Sequence, residues 1–153
     1  MTPIADVLQP DHVRLRLSAK EPSAAIQEVM ATLEGDERVR DFAALRAAVY
    51  AQPAPAIAEN GCGICIAHGR TDLVASLVMS AGRSVEGIVF PKLADPVKLV
   101  FVAGIPGAFT SEYLRIVGAI VRTCRDKRQL DRILSTNDPD RFVALLSSGE
   151  VKL

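Results

Sequence analysis

The sequence predicts an α/β fold in which helices cover both faces of a mixed β-sheet. Three observations carry that prediction. An alternating apolar and charged stretch near the start is followed by two helical stripes. Short apolar runs bounded by glycines and prolines fill the middle. The last third has helical periodicity. Strand, two helices, several strands and then helices is the order of a layered α/β domain.

The first strand is placed at Val13-Arg14-Leu15-Arg16-Leu17, where three apolar side chains share one face. A helix follows with Pro22 in its first turn, Ile26, Val29, Met30 and Leu33 at helical spacing, and Gly35 at its end. Phe42, Leu45, Ala48 and Val49 make a second stripe that stops before Gln52-Pro53. The segment Gln52 to Asn60 holds two prolines and reads as loop. Gly63 to Ala67, Ala75 to Ser80 and Val97 to Ala103 read as strands, the last apolar enough to be covered on both faces. Thr110 is a candidate cap for a long helix with Glu112 in its first turn and Leu114, Val117, Val121 and Cys124 inward. Leu130, Ile133 and Leu134 mark a short helix. A last one starts near Asp138, with Phe142, Leu145 and Leu146 inward.

Residues 1–153 read as one domain, long enough to bury a core without disulfides or metals. Basic and acidic residues balance at 18 each, which gives no nucleic-acid footprint. The run Arg122, Arg125, Lys127, Arg128 and Arg132 is diluted by Asp126 and Asp131 and reads as a solvated helical face. The N-terminus lacks the pattern of an export signal, and no stretch is apolar for long enough to insert in a membrane. Together with three cysteines, this points to a protein of the reducing cytoplasm.

The stretch with most chemical content is Gly61-Cys62-Gly63-Ile64-Cys65-Ile66-Ala67-His68-Gly69-Arg70. It sets one histidine just past an apolar strand, next to a glycine that lets backbone or phosphate come close. A neutral imidazole offers one nitrogen lone pair and is a competent nucleophile. A phosphoryl group placed there needs hydrogen-bond donors, for which backbone amides around Gly69 or a helix N-terminus are suited. By itself, a histidine at a strand end is more often a structural residue.

Gly61, Gly63, Ile64, Ile66, His68 and Gly69 resemble the signature of the phosphotransferase-system enzyme IIA family of the mannitol, fructose and nitrogen-regulatory type. The resemblance extends through the DPVKLVFVAGIPG block and the SEYLRIVGAIV helix, and so spans almost the whole chain. It implies a three-layer α/β/α sandwich around a central mixed β-sheet. It implies that His68 accepts a phosphoryl group from an HPr-like phosphocarrier protein. The onward partner would be a IIB domain, or a transporter or kinase regulated by the phosphorylation state. A chain without transporter or IIB parts looks most like the nitrogen-regulatory branch. No cofactor or metal is implied.

The chain also departs from that pattern. Ala67 replaces the proline before the histidine, and Gln52-Pro53 stands where an Arg-Glu pair is usual. Ile57 to Gly61 keeps only the last glycine of a Ser-Thr-Gly-Ile-Gly loop. Tyr113 takes the place of a second histidine. Loss of the arginine removes a charge-assisted partner for phosphate. Arg70, Tyr113 and the amide of Gly69 are the candidate replacements, and Glu59, if turned inward, would oppose phosphorylation. Two readings follow: a phosphoryl carrier on His68, or a regulatory module of the same fold that binds partners without being phosphorylated.

A third reading uses Cys62 and Cys65 as a thiol or metal pair. In an extended stretch, residues three apart point to opposite faces, which argues against it and for buried, inert thiols. His12 reads as a surface residue near a strand start, with no partner close in sequence.

Overall fold

The structure is a computed structural model, and residues 3–150 are described. Five strands form one sheet: β1 (Leu8–Arg14), β2 (Ala56–Glu59), β3 (Cys62–Arg70), β4 (Val78–Ile88) and β5 (Val97–Ile105). Their spatial order is β1-β4-β5-β3-β2. The β1–β4 and β3–β5 pairs are parallel, and β4–β5 and β2–β3 antiparallel, so the sheet is mixed as expected.

Strand alternation sorts the apolar side chains onto two faces. Ile64 and Ile66 of β3 with Leu99, Phe101 and Ala103 of β5 enter one core. Helices α1 (Ile4–Val7), α4 (Thr110–Arg125), α5 (Lys127–Ser135) and α6 (Pro139–Ser147) close it, with Ile116, Ile120, Ile133 and Phe142 fully buried. Cys65 and Ala67 with Val100 and Val102 enter the other core, under α2 (Pro22–Met30) and α3 (Phe42–Tyr50). Helix, sheet and helix layers thus give the predicted three-layer arrangement.

Several boundaries differ from the sequence reading. The first strand runs from Leu8 to Arg14 rather than over Val13 to Leu17, because pairing with β4 begins at Leu8↔Met79. Leu15 and Leu17 still pack, one against each core, from a bend beyond the strand. The supposed loop Gln52 to Asn60 contains β2. Asn60 and Gly61 join β2 to β3 with φ values of 51° and 76°, the two positive values of a tight hairpin turn. The Asn60 side chain also donates to Cys124 O and Arg125 O, which caps the C-terminus of α4. The strand assigned to Ala75 through Ser80 begins only at Val78 and runs on to Ile88 as β4.

In α4 Cys124 is buried as expected, but the rest of the buried stripe lies one residue away from the expected positions. It consists of Tyr113, Ile116, Ala119, Ile120, Thr123 and Cys124, while Leu114 is 61% exposed. Two polar residues belong to that stripe, so counting apolar residues alone phases the helix wrongly. Thr123 satisfies its hydroxyl on Ala119 O. Asp126 and Asp138 cap α5 and α6.

Candidate functional site

Strand β3 does not stop before His68; it continues to Arg70, in parallel register with β5. His68 therefore sits inside the sheet's last turns of pairing, opposite Ala103. Its side chain leaves on the same face as Ile64 and Ile66, toward α4. There it meets Tyr113, with ring centroids 5.2 Å apart and planes inclined by 40°. The structure thus brings together the two side chains that the sequence pattern linked across 45 positions (113 − 68).

The two imidazole nitrogens are not equivalent. Nδ1 is buried and has no hydrogen-bond partner. Among the described residues none bonds Nε2 either, but that atom is not buried, so it is the nitrogen open to an incoming group. Tyr113 is 7% exposed, and burial pushes its hydroxyl pKa up to about 12. The hydroxyl therefore keeps its proton at any physiological pH and remains a hydrogen-bond donor.

Arg70 is exposed and on the same strand face as His68. Its Nη2 donates to Thr110 Oγ1 at 2.8 Å. Thr110 begins α4 and Tyr113 lies in the same first turn, so Arg70, Thr110, Tyr113 and His68 form one patch. The positive end of a 16-residue helix faces it.

Gly69 has a different place. A Cβ there would lie 2.6 Å from Val49 N and 2.8 Å from Ala48 C. Its lack of a side chain lets α3 pack directly on the strand. Its amide is also committed. Thr71 N donates to Ile105 O, and alternation turns the odd-numbered amides of β3 toward β5. Ile66 N donates the other way, to Pro55 O. The amides of His68 and Arg70 consequently face the edge that β2 leaves open.

Gln52 lines a depression with Val49 and Ala67 on the α2–α3 side of the sheet. Glu59 lies at the far end of the β2–β3 hairpin and is paired with Arg125 at 3.1 Å, so it does not face His68. Cys62 and Cys65 enter opposite cores. All three thiols are free and buried, and burial pushes those of Cys65 and Cys124 up to about 12. Among the described residues no group of histidine, cysteine or carboxylate side chains could hold a metal ion, and no helix is long and apolar enough to cross a membrane.

Sequence reasoning missed the setting of His12. Its Nε2 is 2.7 Å from Asp36 Oδ2, and Asp36 is gripped by Nε and Nη2 of Arg38. Asp36 is 24 residues away in sequence, and no local pattern announces it.

Comparison with known proteins places this geometry. Residues 6–149 match the family model described as phosphoenolpyruvate-dependent sugar phosphotransferase system, EIIA 2. The chain is 31% identical over 123 residues to the fructose-specific EIIA component of Haloferax volcanii, covering 77% of this chain and 80% of that protein. Its fold matches the nitrogen regulatory protein IIA-Ntr of Neisseria meningitidis with a TM-score of 0.80 at 20% identity, over 94% of this chain and 98% of the other. It also matches a chain in the complex of enzyme IIAMTL and phosphorylated enzyme IIBMTL from Escherichia coli, with a TM-score of 0.69 at 19% identity, over 90% and 95% of the two chains. The chain belongs to the EIIA 2 family of the phosphoenolpyruvate-dependent sugar phosphotransferase system.

Proposed function

We propose that this protein is a phosphoryl carrier that accepts its phosphoryl group on Nε2 of His68 from the phosphohistidine of an HPr-like phosphocarrier. The observation that carries the proposal is the asymmetry of the His68 ring, which has Nδ1 buried and Nε2 unbonded and open beside Tyr113.

The step balances without an added proton or metal. His68 enters neutral, with its proton on Nδ1. The Nε2 lone pair forms a bond to phosphorus as the donor's P–N bond breaks, and that electron pair returns to the donor imidazole. The donor enters as the phospho-imidazolium and keeps its own ring proton, so it is left as a neutral histidine while His68 becomes the phospho-imidazolium. Catalysis then rests on in-line positioning and on donors around the equatorial oxygens. The Tyr113 hydroxyl, the Arg70 guanidinium and the first turn of α4 supply such donors on the face of His68. The His68 and Arg70 amides on the open edge of β3 add to them. Delivery to a IIB domain is the matching second step, by analogy with the partner of enzyme IIAMTL in its complex.

The test is phosphorylation with phosphoenolpyruvate, enzyme I and a phosphocarrier, read by intact mass in mildly alkaline buffer. One acid-labile phosphoryl group is expected, and none on His68→Ala. Folded wild-type protein that stays unmodified with its own phosphocarrier would replace this reading by that of a partner-binding module without phosphorylation.

A further inference from the structure

A second site lies behind His68, on the other side of the sheet. A cavity of about 250 Å³ opens between α2, α3 and the end of β4. Ile26, Val49, Ala67 and Phe90 form its floor, each at least nine-tenths buried. Pro22, Ala54 and Pro91 add apolar wall. The polar residues of the lining, Ser23, Tyr50 and Gln52, are exposed and so sit at the mouth, where the Tyr50 hydroxyl donates to Ser23 O at 3.2 Å. No Asp, Glu, Lys, Arg or His lines it.

Two of its lining residues set its character. Ala67 leaves the floor low, and Gln52 leaves the mouth uncharged. Ala67 is also the residue directly before His68 on β3. A molecule seated on its Cβ presses on the strand that carries the candidate phosphoryl acceptor.

We infer that this cavity binds a small uncharged molecule, about one ring with a short polar substituent, and that its occupancy alters the environment of His68. The volume suits that size, since a dry apolar cavity of roughly 150 Å³ already takes benzene. An apolar floor with a few polar groups at the mouth is the usual composition of a small-molecule site. The absence of charged lining excludes a phosphorylated sugar or a carboxylate as occupant, because neither would find a partner for its charge on leaving water. The inference concerns regulation of the same site. It rests on the phosphoryl-carrier reading for its physiological meaning, but not for its test.

The test is NMR titration of the unphosphorylated protein with benzyl alcohol, following backbone amides and the His68 ring. Saturable shifts are expected at Ile26, Ala67 and Phe90, with Kd in the region of 1 mM, together with a saturable change in the His68 ring signals. Ala54→Phe fills the cavity from its half-buried loop and should abolish both, while leaving amide dispersion and the His68–Tyr113 ring contact intact. Phosphorylation plays no part in these readings, so a failure of the carrier function leaves them unaffected. Absent or non-saturating shifts, or shifts that persist in Ala54→Phe, would overturn the site. Saturation at the cavity with no response from His68 would overturn the coupling.

Discussion

At the residue scale, the candidate site rests on what Tyr113 does with its hydroxyl. Its ring centroid lies 5.2 Å from that of His68, and the hydroxyl stays protonated and makes no bond to protein among the described residues. Removing it therefore separates chemistry from folding. Tyr113→Phe keeps the ring and its packing, so thermal stability should change little. If the hydroxyl donates to a phosphoryl oxygen in the transition state, transfer should slow by roughly three- to tenfold, the value of one neutral hydrogen bond of about 1 kcal/mol. Stopped-flow transfer from the phosphocarrier and a melting curve give the two readings. An unchanged rate would remove Tyr113 from the list of donors and leave Arg70 and the amides. His68 and Tyr113 could be linked from the sequence, because the glycine-flanked β3 segment and the SEYLRIVGAIV helix both resemble the family pattern, and their rings do meet. The roles of Gly69 and Gln52 were not legible. Strand alternation turns the first toward α3, the second lines the depression under α2 and α3, and neither fact is present in spacing alone.

At the scale of elements, the sequence located the helices better than the strands. Helices α2, α3, α5 and α6 each show an apolar stripe, and α3, α5 and α6 open on an Asp cap, so their ends are written locally. Strands are completed by partners. β1 starts at Leu8 because β4 is there to pair with, and β2 exists because Asn60-Gly61 turns it back on β3. The Asn-Gly dipeptide was the available signal for that hairpin, obscured by the two prolines before it. The helix-on-strand contact at Gly69 yields a sharp prediction. In Gly69→Ala the new methyl meets the α3 backbone at Ala48 and Val49, which no rotamer change can relieve. The helix must shift, at a cost of about 1–3 kcal/mol. Urea unfolding should show that loss with an unchanged m-value. Because α3 also walls the cavity behind Ala67, benzyl alcohol shifts should be altered in the same variant.

At the scale of the whole molecule, a charged cluster ties distant segments to the surroundings of His68. Arg38 holds Asp36 through Nε and Nη2 and reaches Asp6 O and Val7 O, just before β1, through Nη1. The backbone around Arg38 pairs with the β3–β4 connection: Ala75 N donates to Arg38 O, and Arg40 N donates to Leu73 O. Asp72 of that connection accepts from Gly107 N, three residues before α4 begins. The Arg38 guanidinium beside Asp36 holds its carboxyl well below the ordinary 3.8, with the His12 bond adding to that effect. A lowered carboxyl pKa stabilises the fold above the unfolded value and loses that contribution as pH falls through the folded one. Asp36→Asn should therefore cost about 2 kcal/mol at neutral pH. The gap to wild type should hold down to about pH 4 and close progressively below it, because only the wild-type unfolded chain takes up the extra proton there. Urea denaturation of both proteins from pH 7 to pH 3 measures this directly. A gap that stayed constant to pH 3 would mean that the Asp36 carboxylate does not hold these segments together by charge.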